Sequence, residues 1–61
     1  MTSERLLKKA EVCAMTSLSY PTIWRKVRAG QFPRPLQISA NRVAWRFTDV
    51  AAWIENLAVA K

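Results

Sequence analysis

Basic side chains crowd one short segment of the chain, between a serine suited to cap a helix and a glycine suited to end one. The segment SYPTIWRKVRAG, residues 19–30, carries Arg25, Lys26 and Arg28 within four positions. On an exposed helix face an arginine guanidinium pairs with a guanine edge in the major groove of DNA, while neighbouring cations meet phosphates. We therefore predict that Arg25 reads a base and that Lys26 and Arg28 contact the DNA backbone. A helix face that is merely solvated is the alternative.

The charge of the whole chain also favours a polyanionic partner. The 61 residues have a net charge of +6, with ten Lys and Arg, four Asp and Glu, and no His. No acidic residue lies between Glu11 and Asp49, whereas six basic residues do. Because a merely soluble surface usually intersperses both signs, this unbroken basic stretch is more typical of nucleic-acid binding.

Further candidate contacts lie on both sides of the basic segment. Ser19 and Tyr20 stand at the expected N-terminus of the helix, and Thr22 shares its outer face. Arg34 stands between two prolines, so little conformational entropy remains to be lost when it binds a phosphate. The turn and the polar face of a following hairpin supply the rest. The side chains predicted to bind DNA are Ser19, Tyr20, Thr22, Arg25, Lys26, Arg28, Arg34, Asn41, Arg42 and Arg46.

Capping residues and apolar periodicity divide the chain into short elements. The predicted helices span about residues 9–15, 20–29 and 49–58, and a β-hairpin, the wing, spans about 36–47. Ser19 and Thr48 are suited to cap the second and third helices, and Gly30 to close the second. Leu6 and Leu7 form either a brief strand or a packed lead-in. The sequence thus predicts a mainly α fold with a small β-hairpin, a winged helix-turn-helix, as one domain over residues 1–61.

Apolar spacing predicts which sides of these elements are buried. The predicted stripes are Ile23, Trp24 and Val27 on the second helix, Val43, Trp45 and Phe47 on the hairpin, and Val50, Trp53, Ile54 and Leu57 on the last helix. All three tryptophans then belong to the core, and only Tyr20 remains available for DNA. Exposed tryptophans would instead indicate base stacking on single-stranded nucleic acid. Lys8 and Lys9, at the start of the first helix, could contact the DNA backbone, but ordinary solvated side chains are the simpler interpretation.

The chain lacks the residues that enzymatic or metal chemistry requires. It has no His, one Cys, one Gly and four well-separated acids, so no catalytic triad, metal site, carboxylate pair or glycine-rich phosphate loop is present in the sequence. We therefore predict no enzyme activity, no metal and no cofactor. Cys13 is the one cysteine of the sequence, so no intrachain disulfide can form, and no apolar run approaches the length of a membrane span. We therefore expect the protein to lie in the bacterial cytoplasm, at the nucleoid.

Two stretches resemble a known family. TSLSYPTIWRKVRAGQFPRPLQI resembles the pattern TGLS-x-x-TIY-x-x-I-x-x-G-x-FP-x-P of AlpA-like phage and prophage regulators. WRFTDVAAWIENL is similar to the segment after the wing in that family and in MerR-like excisionases. The resemblance covers roughly residues 6–58. Three positions depart from the pattern: Ser17 replaces the turn glycine, Trp24 a tyrosine, and Lys26 an often apolar residue.

The resemblance implies a MerR-like winged helix that regulates transcription of prophage or integrative-element genes. Its closest alternative is an excisionase that bends DNA for an integrase. The expected partner is double-stranded DNA. We expect the protein to be a monomer in solution, copies of which bind adjacent sites on DNA. In the excisionase case an integrase is a further partner. A protein-interaction adaptor that uses the hairpin face or the apolar tail LAVAK, residues 57–61, is the weaker alternative.

Overall fold

Three helices and three short strands make up residues 5–60, the part of the chain that this computed structural model describes. In chain order the elements are β1 (Leu6–Leu7), α1 (Lys9–Thr16), α2 (Tyr20–Arg28), β2 (Leu36–Ser39), β3 (Arg42–Arg46) and α3 (Phe47–Glu55). The predicted winged helix-turn-helix class is confirmed: α1 and α2 form the helix-turn-helix, and the β2–β3 hairpin is the wing.

The leucine pair before α1 extends the hairpin into a three-stranded sheet. The strand order is β1-β3-β2 and both pairings are antiparallel. Leu7 lies opposite Trp45, and Leu6 lies opposite Arg46. Of the two interpretations that the sequence allows for Leu6 and Leu7, the strand is therefore the one found, and it places Leu7 in the core.

Trp45 lies at the centre of the core. It is fully buried, as are Leu7, Val12, Ile23 and Val50, and Phe32 is nearly so. Trp24 and Trp53 are half-buried and pack against this cluster. Aromatic side chains bury large areas, which suits a chain too short for a thick core. The prediction that all three tryptophans serve the core is confirmed.

A serine in the left-handed conformation makes the turn between α1 and α2. Ser17 has φ 64° and ψ 22°, and its backbone N–H donates to the carbonyl of Cys13 at 2.8 Å. The Thr16 hydroxyl steadies the same turn, since it donates to the Val12 carbonyl at 2.8 Å. A residue with a Cβ is strained in this region by about 1 kcal/mol, a strain that the glycine of the family pattern avoids.

Both ends of α3 differ from the prediction. The helix spans Phe47–Glu55 instead of about 49–58, and Arg46 occupies the N-cap position without a side-chain hydrogen bond, so Thr48 is not the cap. The Phe47 N–H donates to the Arg5 carbonyl at 2.8 Å, which satisfies a first-turn donor by a contact distant in sequence. Phe47 therefore starts the helix and does not continue the apolar side of the hairpin. Leu57 lies beyond the helix and is 54% exposed, so its predicted burial is also wrong.

Candidate DNA-binding surface

Helix α2 has one buried side and one exposed side. Ile23 is fully buried, and Trp24 and Val27 pack against the core cluster. On the opposite side Arg25 and Arg28 are exposed, together with Pro21 and Ala29. Lys26 is half-buried and lies between the two sides. The core thus holds α2 so that Arg25 and Arg28 face solvent.

Three polar side chains are linked along the exposed side of α2. The Thr22 N–H donates to Ser19 Oγ at 3.4 Å, so the predicted Ser19 cap is confirmed. The Ser19 hydroxyl donates in turn to Thr22 Oγ1 at 2.9 Å, and Arg25 Nη2 donates to the same oxygen at 3.0 Å. These contacts, which we call the Ser19–Thr22–Arg25 series, orient the guanidinium before any ligand arrives.

The C-terminal end of α2 combines a backbone stop with three cations. Gly30 has φ +75°, the Gly30 N–H donates to the Val27 carbonyl at 3.1 Å, and the Gln31 N–H donates to the Lys26 carbonyl at 2.8 Å. Arg25, Lys26 and Arg28 lie in the last turn, where positive charge interacts favourably with the helix dipole. That interaction is worth only about 0.3–1 kcal/mol, so it does not by itself account for three cations.

The loop after α2 is tied to the core by two indole hydrogen bonds. Trp45 Nε1 donates to the Pro33 carbonyl, and Trp53 Nε1 donates to the Gln31 carbonyl, each at 2.8 Å. Phe32, between them, is buried against the Trp53 ring with a centroid distance of 4.8 Å. The exposed Arg34 therefore projects from a loop that two tryptophans hold in place. A buried indole N–H needs a hydrogen-bond partner, so the sequence indicates that such bonds form but not which carbonyls accept them.

The wing tip is braced by a glutamine side chain. Gln37 Nε2 donates to the carbonyls of Ser39 and Ala40 at 3.1 and 3.2 Å. The pairing of β2 with β3 shifts register between Gln37 and Ser39, which marks a bulge at Ile38. Asn41 lies in the turn with Ala40, Arg42 begins β3, and both side chains are exposed. The two residues predicted for the wing tip therefore do lie there.

A groove of about 630 Å³ joins the wing tip to the N-termini of α1 and α2. Its polar lining comprises Lys8, Lys9, Tyr20, Asn41 and Arg42, and its apolar lining comprises Leu6, Leu7, Ala10, Ile38, Val43 and Ala44. The structure thus brings three predicted site residues together around one groove. Lys8 and Lys9, for which the sequence favours simple solvation, also line this groove.

Tyr20 is more closely tied to the core than the sequence suggests. Its ring makes edge-to-face contacts with Trp24 and Trp45, at centroid distances of 6.1 and 6.4 Å, and it is half-buried. Lys9 Nζ lies 4.7 Å from the centroid of the Tyr20 ring, a cation–π contact. The half-buried ring therefore links the core to a cation at the groove, and contact between Tyr20 and DNA stays a prediction.

Arg46 is not part of the groove lining, although its cross-strand partner Leu6 is. It is exposed and lies opposite Leu6, at the end of β3 that is remote from the wing tip. Neighbouring residues of a strand point to opposite faces, and Trp45 points into the core, so Arg46 points to the other face of the sheet. Contact between Arg46 and DNA stays a prediction.

The acidic side chains do not neutralise this surface. In residues 5–60 one ion pair forms, between Arg5 Nη2 and Glu11 Oε2 at 2.9 Å. The other Glu11 oxygen accepts from the Lys8 backbone N–H at 2.9 Å, and this hydrogen bond, with the charges of Arg5 and Lys8, lowers the pKa of the Glu11 carboxyl. Within the described residues no carboxylate pairs with the basic side chains of α2, the following loop or the wing.

Residues 5–60 contain no cluster of three or more side chains that could ligate a metal ion. In the same range, no helix has the length and apolarity needed to cross a membrane.

Comparison with known proteins decides the family. The family model described as prophage CP4-57 regulatory protein (AlpA) matches residues 5–58, nearly the whole chain. The chain belongs to the AlpA family. The chain is also similar to the uncharacterized protein ORF88 of Enterobacteria phage P4, to which it is 37% identical over 54 residues. The match covers 88% of this chain and 61% of that relative, so the chain spans less than two thirds of the relative's length.

Membership of the AlpA family confirms the resemblance seen in the sequence. The match includes α1, the turn at Ser17, α2, the loop of residues 31–35 and the wing. Ser17, which replaces the glycine of the AlpA pattern, adopts the positive φ that glycine favours. The turn thus has a backbone conformation suited to glycine, although a serine makes it. The AlpA family is described as regulatory, and that description names no catalytic activity.

Proposed function

We propose that this AlpA-family chain binds double-stranded DNA at specific sequences and regulates the transcription of prophage or integrative-element genes. The Ser19–Thr22–Arg25 series on the exposed side of α2 carries the proposal. A guanidinium that the protein already orients loses little conformational entropy when it pairs with a base edge. The family's description as a prophage regulatory protein supports the same function.

Helix α2 enters the major groove in this proposal. The groove is about 12 Å wide and admits one α-helix. Arg25 forms a bidentate pair with guanine, since its fork of donors matches the two acceptors of that base. Lys26 and Arg28 flank it and contact phosphates. Arg34 contacts a phosphate from the loop that the two indoles hold, which limits the entropy lost on binding.

The wing supplies a second point of contact. Asn41 and Arg42 lie at its tip, and they enter the adjacent minor groove or lie along the backbone. Ser19, Tyr20 and Thr22 complete the contact at the N-terminus of α2. In this proposal the fold is MerR-like, the protein acts without a cofactor, and it works as a monomer that occupies adjacent sites in the bacterial cytoplasm, at the nucleoid.

The test begins with selection of a motif from a random duplex library by the purified protein. Fluorescence anisotropy then compares the selected duplex with a scrambled duplex of the same composition, at two salt concentrations. We expect the selected duplex to bind at least about tenfold more tightly, a difference of ~1.4 kcal/mol. If both duplexes bind equally and the binding disappears at high salt, binding is only non-specific electrostatic attraction to phosphates. That result would contradict the proposal.

An excisionase with an integrase partner is the alternative use of the same contacts. Circular-permutation gel shifts on the selected duplex separate the two functions, because an excisionase bends its site. We expect little bend for a transcription regulator that acts without an integrase. A strong bend, together with repeated motifs at a fixed spacing, would favour the excisionase.

A further inference from the structure

The groove between the wing and the N-termini of α1 and α2 has the charge of an anion-binding surface. Lys8, Lys9 and Arg42 contribute three cations to its lining, and Asn41 adds an amide. No acidic residue is part of that lining. One wall belongs to the first residue of α2, Tyr20, and the other to the wing tip. The groove therefore connects the two elements proposed to contact DNA.

One of these cations is held in place by the core. Lys9 Nζ lies 4.7 Å from the centroid of the Tyr20 ring. Edge-to-face contacts with Trp24 and Trp45 restrict the orientation of the Tyr20 ring. The ammonium group is thus positioned beside the first turn of α2. An ordinary surface lysine samples many rotamers and would have to lose that freedom on binding a ligand.

The apolar lining limits what the anion can be. Leu6 is 45% exposed and Ile38 is 51% exposed, so two large aliphatic side chains lie beside the cations. A strand of DNA presents charged phosphates together with the carbon edges of its deoxyribose rings. Such a strand matches both the charged and the apolar part of the lining. In the proposed function, α2 and the wing contact DNA on either side of the groove and would bring the strand to it.

We propose that the groove holds one sugar–phosphate strand of the bound duplex, where that strand passes between α2 and the wing. Lys8, Lys9 and Arg42 contact its phosphates, and Leu6 and Ile38 pack against its sugars. The inference rests on the proposed function, because it requires duplex binding by α2. It adds Lys8 and Lys9 to the DNA surface and makes that surface continuous from the helix to the wing.

Charge substitutions of the two lysines test the proposal through salt dependence. The slope of log K against log salt falls by about 0.9 for each phosphate contact removed. We expect Lys8→Gln and Lys9→Gln each to lower the slope by about this amount, and to weaken the selected and scrambled duplexes equally. Lys9→Arg keeps the charge and its contact with Tyr20, so its slope should match that of the unaltered protein.

Uncharged phosphates locate the strand on the DNA side. Single methylphosphonates are placed in turn along each strand of the selected duplex. We expect one or two positions between the α2 and wing contacts where the substitution weakens binding by the unaltered protein but has little further effect on Lys9→Gln. Additive losses at every position would overturn the assignment of Lys9 to a phosphate.

The two levels of the argument fail in different ways. If Lys8→Gln and Lys9→Gln leave the slope unchanged while Arg25→Ala still weakens the selected duplex, DNA does not occupy the groove, and an acidic protein segment becomes the better occupant. If the unaltered protein shows no preference for any duplex, the proposed function itself is wrong. Circular dichroism and thermal melting of each variant establish that the fold is intact.

Discussion

Helices α1 and α2 have similar lengths, 8 and 9 residues, but they use their charged side chains in opposite ways. In α1 the Glu11 carboxylate accepts from the Lys8 backbone and from the Arg5 guanidinium, so both of its oxygens are engaged within the protein. In α2 the guanidinium of Arg25 donates to a neutral hydroxyl, that of Thr22, and no carboxylate within residues 5–60 pairs with it. The carboxylate of α1 therefore stabilises the start of its own helix, whereas the guanidinium of α2 stays without an ion-pair partner among the described residues.

The largest expected effect comes from the buried side of α2. Ile23→Ala should lower the free energy of unfolding by about 2–5 kcal/mol, because it leaves a cavity beside Trp45 in a small core. Urea denaturation measures the loss. Arg28→Ala, on the exposed side, is the matched control and should lower the stability by no more than about 1 kcal/mol, the upper size of its interaction with the helix dipole. Similar losses for both would show that α2 is not divided into a structural and a ligand-binding side.

Arg25→Ala tests the exposed side of α2. It should cost about 1–3 kcal/mol of binding to the selected duplex and relax the preference at one base position, with stability nearly unchanged. Anisotropy on duplexes altered one base pair at a time measures both effects. Arg25→Lys keeps the charge but loses the bidentate geometry, so it should rescue binding only in part. An equal loss on all sequences would make Arg25 a phosphate contact.

Arg34→Ala should weaken binding to all duplexes alike, because a phosphate carries no sequence information. The slope of log K against log salt should fall by about 0.9. Anisotropy over a range of salt concentrations gives the slope. An unchanged slope would show that Arg34 does not contact a phosphate.

Ser17→Gly should stabilise the turn that joins the two helices by about 1 kcal/mol, because glycine adopts φ 64° without the strain of a Cβ. In a domain of this size that corresponds to a rise in Tm of about 4–8 °C, measured by thermal melting. Ser17→Ala keeps the Cβ and is the control, for which we expect no rise. Equal gains from both variants would trace the effect to the lost hydroxyl.

The smallest effect concerns the Glu11 carboxylate of α1, which pairs with groups of the same protein. Because the folded pKa of Glu11 is lowered, its carboxylate stabilises the fold at neutral pH, and this contribution disappears as the pH falls through that pKa. Glu11→Gln should therefore reduce stability at neutral pH, and the reduction should shrink as the pH is lowered below about 4.3, the ordinary pKa of glutamate, as urea denaturation at each pH would show. Glu55→Gln removes a carboxylate that forms no ion pair within residues 5–60 and should show no such dependence. A constant difference at every pH would rule out the ionised form as the cause.

Local signals in the sequence were sufficient for much of the fold. The start of α2 follows from Ser19 and its end from Gly30, since capping depends on residues within one turn of each end. The wing follows from alternation and its polar turn. The division of α2 into an apolar and a basic side is likewise visible in the helical spacing.

Contacts between residues distant in sequence account for what was missed. The Arg5 carbonyl accepts from Phe47 and starts α3 before Thr48, and no local rule predicts that partner. The same applies to the indole bonds that hold the loop near Arg34. Lys9 becomes a candidate only when Tyr20 is seen to hold it at the groove. Each of these contacts depends on how separate elements pack against one another, and local sequence patterns carry no information on that packing.

The bulge at Ile38 bears on what happens when copies of the protein come close together. Strand β2 is an edge of the sheet, and its outer backbone groups offer a template on which a strand from another copy could pair. A register shift interrupts the regular spacing of those groups in the middle of a four-residue strand. The edge is thereby too short and too twisted to extend the sheet, and neighbouring copies are protected from aggregation through their wings.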